Sequence, residues 1–251
     1  MFSFCKKPPI NVEFSTFDPY LLKNLAPEPS NKQLPDWFID TSPIIPTEQQ
    51  NPHFEPHHGS TIRKCPAIND YFSTGIIVPL WSDLEVYVDP KNQILEWKYA
   101  NVYKEMAMVS SHSSEQFPHL ASKYLHTKIL SPWIAHCNSN IQWFMTKPTY
   151  LTSAFDDQNV VFCDGNIQFN HNFNMHVNLF FPIKSSSYTV KFEAGTPFLK
   201  LIPLTEHKVN MTAEYCTREY YDHASLSSRR ISFSPSVLYN RLIKKSKFKE
   251  K

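Results

Sequence analysis

Histidine offers the most chemistry in this chain of 251 residues, which holds 11 of them beside five cysteines and 23 carboxylates. His112, His119 and His126 recur every seven residues. On one continuous helix they would share a face and could bind a metal ion. Pro118 interrupts the run and Pro132 follows it, and proline breaks a helix interior, so surface or core positions are the plainer expectation. A second candidate is the run from Asn166 to Phe181. Its even positions read Asn166, Gln168, Asn170, Asn172, Asn174, His176 and Asn178, and its odd positions read Ile167, Phe169, His171, Phe173, Met175, Val177 and Leu179. Period two is the signature of a strand with one apolar and one polar face. Asn170, Asn172, Asn174, His176 and Asn178 would then present donors and acceptors suited to a sugar, a nucleobase or a peptide backbone. The plainer reading is a solvated sheet face. Cys137 or Cys163 with a distant histidine could form a nucleophile pair, but that chemistry needs a depressed thiol pKa.

The elements that must position these residues are short. Apolar segments such as IIVPLW, LEVYV and ILEWKY follow one another at close intervals, separated by Asn, Asp, Ser and Pro. Such a series predicts a mainly β fold, an antiparallel sandwich or barrel-like roll. Asp89 to Asn92 predict a hairpin turn, and a bend is expected near residues 170–172. One short helix is expected over residues 66–74, with Pro66 at its first turn and Gly75 just past its end.

Composition divides the chain. There are 20 prolines and four glycines, where average usage would give about 13 and about 18. Glycine-rich phosphate loops are absent, and with them the nucleotide chemistry they support. Ten prolines fall within the first 56 residues, predicting an extended arm over residues 1–58 that cannot hold a central strand. Trp37 and Phe38 in that arm are candidate partner-binding residues, since so many aromatics imply packing on something. A β-rich body over 59–226 and a basic tail over 227–251 complete the division. Residues 229–251 carry a net charge of +7, leaving −5 on the rest of a chain whose total is only +2. Arg229 and Arg230 begin this tail, which could touch an acidic partner or nucleic acid, and a short amphipathic helix is expected around Val237 to Ile243. The widely spaced cysteines read as free thiols. No apolar run is long enough for a membrane helix and no secretory leader is evident, so a soluble protein without membrane contact is expected.

The segments KCPAINDYFSTGIIVPLWSDLEV, ILSPWIAHCNSNIQWFMTKP, VVFCDGN and FEAGTPFLKLIPL resemble, in order, an uncharacterised protein family of bacteria and of tailed phages of marine cyanobacteria. The resemblance covers roughly residues 60–205 and implies a phage or bacterial origin, hence the host cytoplasm or a virion, with no cofactor or catalytic residue attached to it. The strand order is also similar to that of dUTPase-like β-rolls, without their nucleotide motifs. Two functions follow as expectations: an accessory protein binding a partner protein or a second copy of itself through the N-terminal arm, or a β-roll enzyme. The enzyme would act on nucleotides or use non-haem iron with 2-oxoglutarate, which needs two histidines and a carboxylate converging from a sheet.

Overall fold

Fifteen short strands carry the architecture, and a computed structural model describes residues 8–46, 53, 59–99, 108–170 and 174–233. The strands are β1 (Ile10–Thr16), β2 (Glu28–Pro29), β3 (Ile76–Pro79), β4 (Leu84–Asp89), β5 (Ile94–Tyr99), β6 (Val109–Ser111), β7 (Tyr124–Ile129) and β8 (Ile134–Cys137). They continue as β9 (Trp143–Thr146), β10 (Val161–Phe162), β11 (Gly165–Ile167), β12 (Val177–Pro182), β13 (Tyr188–Phe192), β14 (Pro197–Pro203) and β15 (Val209–Tyr215). Four α-helices join them among the described residues: α1 (Pro19–Asn24), α2 (Asp36–Asp40), α3 (Pro66–Ser73) and α4 (Arg218–Phe233). The fold is mainly β, as its turn-punctuated apolar segments predict, and among the described residues no sheet closes into a barrel.

Four sheets have the orders β15-β1-β8, β10-β12-β7-β6, β11-β9-β14-β3-β2 and β13-β4-β5. All four feed one core, with Val12 and Phe14, Val78, Val86 and Val88, Ile129, Trp133, Trp143, Leu179 and Phe181 among its buried members. The expected hairpin forms between β4 and β5, pairing Asp89 with Ile94. Helix α3 also forms where expected, and Gly75 just beyond it has φ 95°. A Cβ at Gly75 would be driven into the Leu201 carbonyl, so glycine is required there.

One expectation is corrected. Residues 10–16 are no arm: β1 is the central strand of its sheet, paired antiparallel with β8 and parallel with β15. Ile10, Val12, Phe14 and Thr16 face inward and are buried. The prolines stop at Pro9 and resume at Pro19, and the window between them has strand alternation that an average over 56 residues conceals. The β1–β15 pair is the one parallel pair among the described strands. At the C-terminal end α4 begins at Arg218, where no helix is expected from the sequence, and the helix expected around Val237 to Ile243 lies outside the described residues. Thr217 Oγ1 accepts from the Tyr220 N–H at 3.2 Å, and Tyr221 and Ala224 bury against Ile134 and Phe17. No helix of the described residues is long and apolar enough to cross a membrane.

Candidate functional site

Strand alternation decides which side chains the five-stranded sheet offers on each face. Leu199 and Leu201 point into the main core, so Lys200 between them must point the other way. That face would be solvated in a bare sheet. Here the segment from β2 through α2, together with α3, covers it, and Lys200 is fully buried. Its Nζ donates to Ser30 Oγ at 2.7 Å and to the Tyr71 carbonyl at 2.5 Å. The same atom lies 3.8 Å from the centroid of the Tyr71 ring. All the donors of the ammonium group thus have somewhere to point. Burial pulls the Lys200 pKa down to about 8, and burial pushes the Tyr71 phenol up to about 12. An amine lowered in this way is more nucleophilic than an ordinary lysine, but this one is enclosed. The arrangement clamps the N-terminal segment and α3 onto the sheet.

Above the clamp sits an aromatic cluster. Phe38 and Phe72 are buried against each other, with centroids 4.4 Å apart, and Arg63 lies 4.6 Å over Phe38. Trp37 and Tyr150 pack edge-on to Phe72 at 6.1 and 6.4 Å. They remain 45% and 51% exposed. The Trp37 indole N–H donates to the Tyr150 carbonyl at 3.1 Å. Tyr150 adopts φ 71° in a turn closed by the Leu151 N–H on the Pro148 carbonyl at 3.1 Å. That position usually takes glycine or asparagine, and an aromatic side chain held there is under strain.

The structure places the three histidines apart along the chain. His112 follows β6, His119 lies exposed in the turn before β7, and His126 is on β7. No helix joins them, so the shared helical face that their spacing of seven would give does not arise. Among the described residues no three His, Cys, Asp or Glu side chains are grouped to hold a metal ion. Two of the three do meet, with the His112 and His126 rings 5.2 Å apart. His126 is buried and stacked on Phe180 at 4.7 Å, with Phe117 edge-on at 5.3 Å. Its Nε2 lies 3.1 Å from Asn178 Oδ1 and its Nδ1 lies 3.5 Å from the Ser113 carbonyl. Burial lowers the His126 pKa against the pull of these two contacts, and the nearby His112 and Lys128 lower it further. The chain's His-x-Glu triplet, His53-Phe54-Glu55, falls in a stretch of which only residue 53 is described.

The polar run does not form one binding face. Asn174 is buried and bridges to Ile134 of β8, while Asn178 belongs to β12 in another sheet and faces His126. Asn170 and His176 are half-buried, and Asn172 lies outside the described residues. The run passes from one sheet to the next, so its amides are divided between them. Of the expected partner residues, Trp37 is exposed, but Phe38 is 2% exposed and its apolar area is used within the chain. At Arg229 and Arg230 only the helix backbone is described. The candidate thiols are poor nucleophiles, because burial raises the pKa of both Cys137 and Cys163.

Lys200, Tyr71 and Tyr150 were not anticipated as a group. A lysine in the middle of the apolar run PFLKLIP was the available signal, since a charge there needs either solvent or acceptors. The fold and these centres define a mainly β protein whose buried polar groups hold segments together and whose Phe38–Phe72 aromatic cluster reaches the surface at Trp37 and Tyr150. No protein-family model matches the chain, and a search of curated proteins returned no match.

Proposed function

We propose that this protein is a β-rich interaction module that docks a partner protein on the ridge formed by Trp37 and Tyr150, in the phage-encoded accessory role that the resemblance over residues 60–205 implies. The observation that carries the reading is Tyr150 itself. A half-exposed tyrosine at φ 71° costs stability where glycine would cost none. The Trp37 indole, bonded to its carbonyl, holds a second half-exposed ring in place beside it. Trp, Tyr and Arg dominate the energetics of protein interfaces. Rings already fixed by Phe38 and Phe72 lose little entropy when a partner covers them. Ile39, Ile44 and Ile62, all exposed, lie on the same N-terminal and pre-α3 segments.

Removing residues 1–56 is not a usable test, because it would remove a core strand. The test is a comparison of the wild type with the Trp37→Ser/Tyr150→Gly variant as baits in extract of the cells that carry the gene. Circular dichroism would confirm that both are folded. The reading expects a partner enriched by the wild type and lost from the variant. Equal enrichment by both baits, or none by either, overturns it.

A further inference from the structure

The free edge of β5 carries a self-complementary charge pattern. Strand β5 pairs with β4 over six positions without a bulge, and it ends its sheet, so among the described residues no strand pairs with its other side. Edge strands expose a row of unpaired N–H and C=O groups, which proteins usually blunt with charged side chains, proline, a bulge or brevity, and of these β5 has only the charges Glu96 and Lys98, one of each sign. The edges at β2, β6, β10 and β11 are two or three residues long. β5 has six residues, ILEWKY, and no proline. Leu95, Trp97 and Tyr99 pack half-buried on the core side. Ile94, Glu96 and Lys98 face outward, Ile94 being 43% exposed.

We propose that a second copy of this chain docks on this edge, β5 against β5, antiparallel about a two-fold axis at Trp97. Residues directly opposite in an antiparallel pair lie on the same face, so the axis must pass through a residue rather than between two. An axis at Glu96 sets Glu96 against itself. One at Lys98 sets Lys98 against itself. The axis at Trp97 sets Glu96 of each copy against Lys98 of the other, and Leu95 against Tyr99.

The charge row continues beyond the pair. Within one copy, Lys191 bridges Glu85 at 3.2 Å and Glu85 stands opposite Lys98. Glu96 of the second copy extends this alternating row with a negative charge beside Lys98. On the other face the two Trp97 rings meet over half-buried apolar surface. Longer and comparable edges lack such a code: β15 contains one charged residue, Glu214, and β13 contains one, Lys191. The interface is isologous and joins two three-stranded sheets into one of six. It is built on the β13-β4-β5 sheet and uses neither Trp37 nor Tyr150.

The test is sedimentation velocity from about 10 µM to about 1 mM, a range that covers small strand-pair interfaces. The wild type is expected to dimerise. Glu96→Lys and Lys98→Glu should each weaken the dimer at least about tenfold, because each sets like charges opposite one another. Mixing the two single variants should restore dimers, since a copy with two cationic positions on its edge then faces a copy with two anionic ones. The double variant should dimerise alone. Tyr150→Gly should leave the dimer unchanged. A wild type that stays monomeric throughout, as it would if its own chain covered the edge, overturns the proposal. So does a dimer indifferent to the single reversals, or single variants that fail to associate when mixed.

Discussion

Lys200 and His126 are both basic side chains buried against an aromatic ring, and the protein accommodates them in opposite ways. Lys200 is given acceptors: Ser30 Oγ, the Tyr71 carbonyl and the Tyr71 ring all face its Nζ. Its pKa of about 8 leaves it mostly charged at neutral pH. His126 has two oxygens beside it, but also the cationic or titratable neighbours Lys128 and His112. It lies stacked on Phe180 and gives up its charge. The contrast shows that desolvation lowers both bases, and that the lysine keeps its proton at neutral pH because it descends from 10.5 whereas the histidine descends from 6.5. The Lys200 centre therefore fastens chain segments, whereas the His126 centre packs as a polar ring with one good hydrogen bond.

The largest effect is expected from breaking the Lys200 side of the contrast. Lys200→Ala leaves two buried acceptors without a donor and opens a cavity, a loss of about 4 kcal/mol in denaturant unfolding. Gly75→Ala acts on the same centre, because the Gly75 carbonyl accepts the Ser30 N–H at 2.9 Å. With φ 95° and no room for a Cβ, that substitution should cost about 3 kcal/mol. Lys200→Met sharpens the electrostatic part. Between about pH 8 and 10.5 the folded lysine has released its proton while the unfolded one still holds it. Wild-type stability relative to the methionine variant must therefore rise between about pH 8 and about pH 10.5. A flat difference would show that Nζ is hydrated.

How far these centres were legible depends on whether their partners were near in sequence. Helix α3 was legible, since Pro66 and Gly75 mark both of its ends. The hairpin at 89–94 was too, for its turn residues stand between two alternating runs. The alternation from Ile167 to Leu179 correctly assigned Phe169, Met175, Val177 and Leu179 to the core. It could not show that Asn174 and Asn178 join different sheets, because that depends on pairing with β8 and β7, strands far back along the chain. Lys200 was hidden for the same reason. Its acceptors come from Ser30 and Tyr71, 170 and 129 residues distant. Strand β1 was obscured by the prolines around it, although INVEFST alternates by itself.

On the His126 side the expected effect is smaller and depends on pH. His126→Phe keeps the stack on Phe180 but leaves Asn178 Oδ1 without its Nε2 partner, a cost of about 1 kcal/mol at about pH 7.5. The folded pKa lies below the ordinary 6.5, so the unfolded chain takes up the proton first as pH falls. Wild-type stability is full above about pH 6.5 and declines as pH drops toward the lower folded value. The phenylalanine variant lacks this decline, so the gap between the two should narrow by about pH 5 in parallel urea titrations. A gap that widens would mean that the two oxygens beside the ring hold the charged form after all, and the contrast with Lys200 would collapse.

The smallest effect on stability is the most informative about function. Tyr150→Gly replaces a strained aromatic at φ 71° with the residue that this backbone prefers. The loss of edge contacts with Tyr71 and Phe72 opposes the relief of strain, so the net change should fall within about 1 kcal/mol of zero. A residue kept only for packing would make this variant clearly less stable, by about 3 kcal/mol as for a core aromatic. Near-neutral stability together with loss of the bound partner would separate what Tyr150 does for folding from what it does for recognition. Lys200 allows no such separation, because every contact it makes is spent inside the chain.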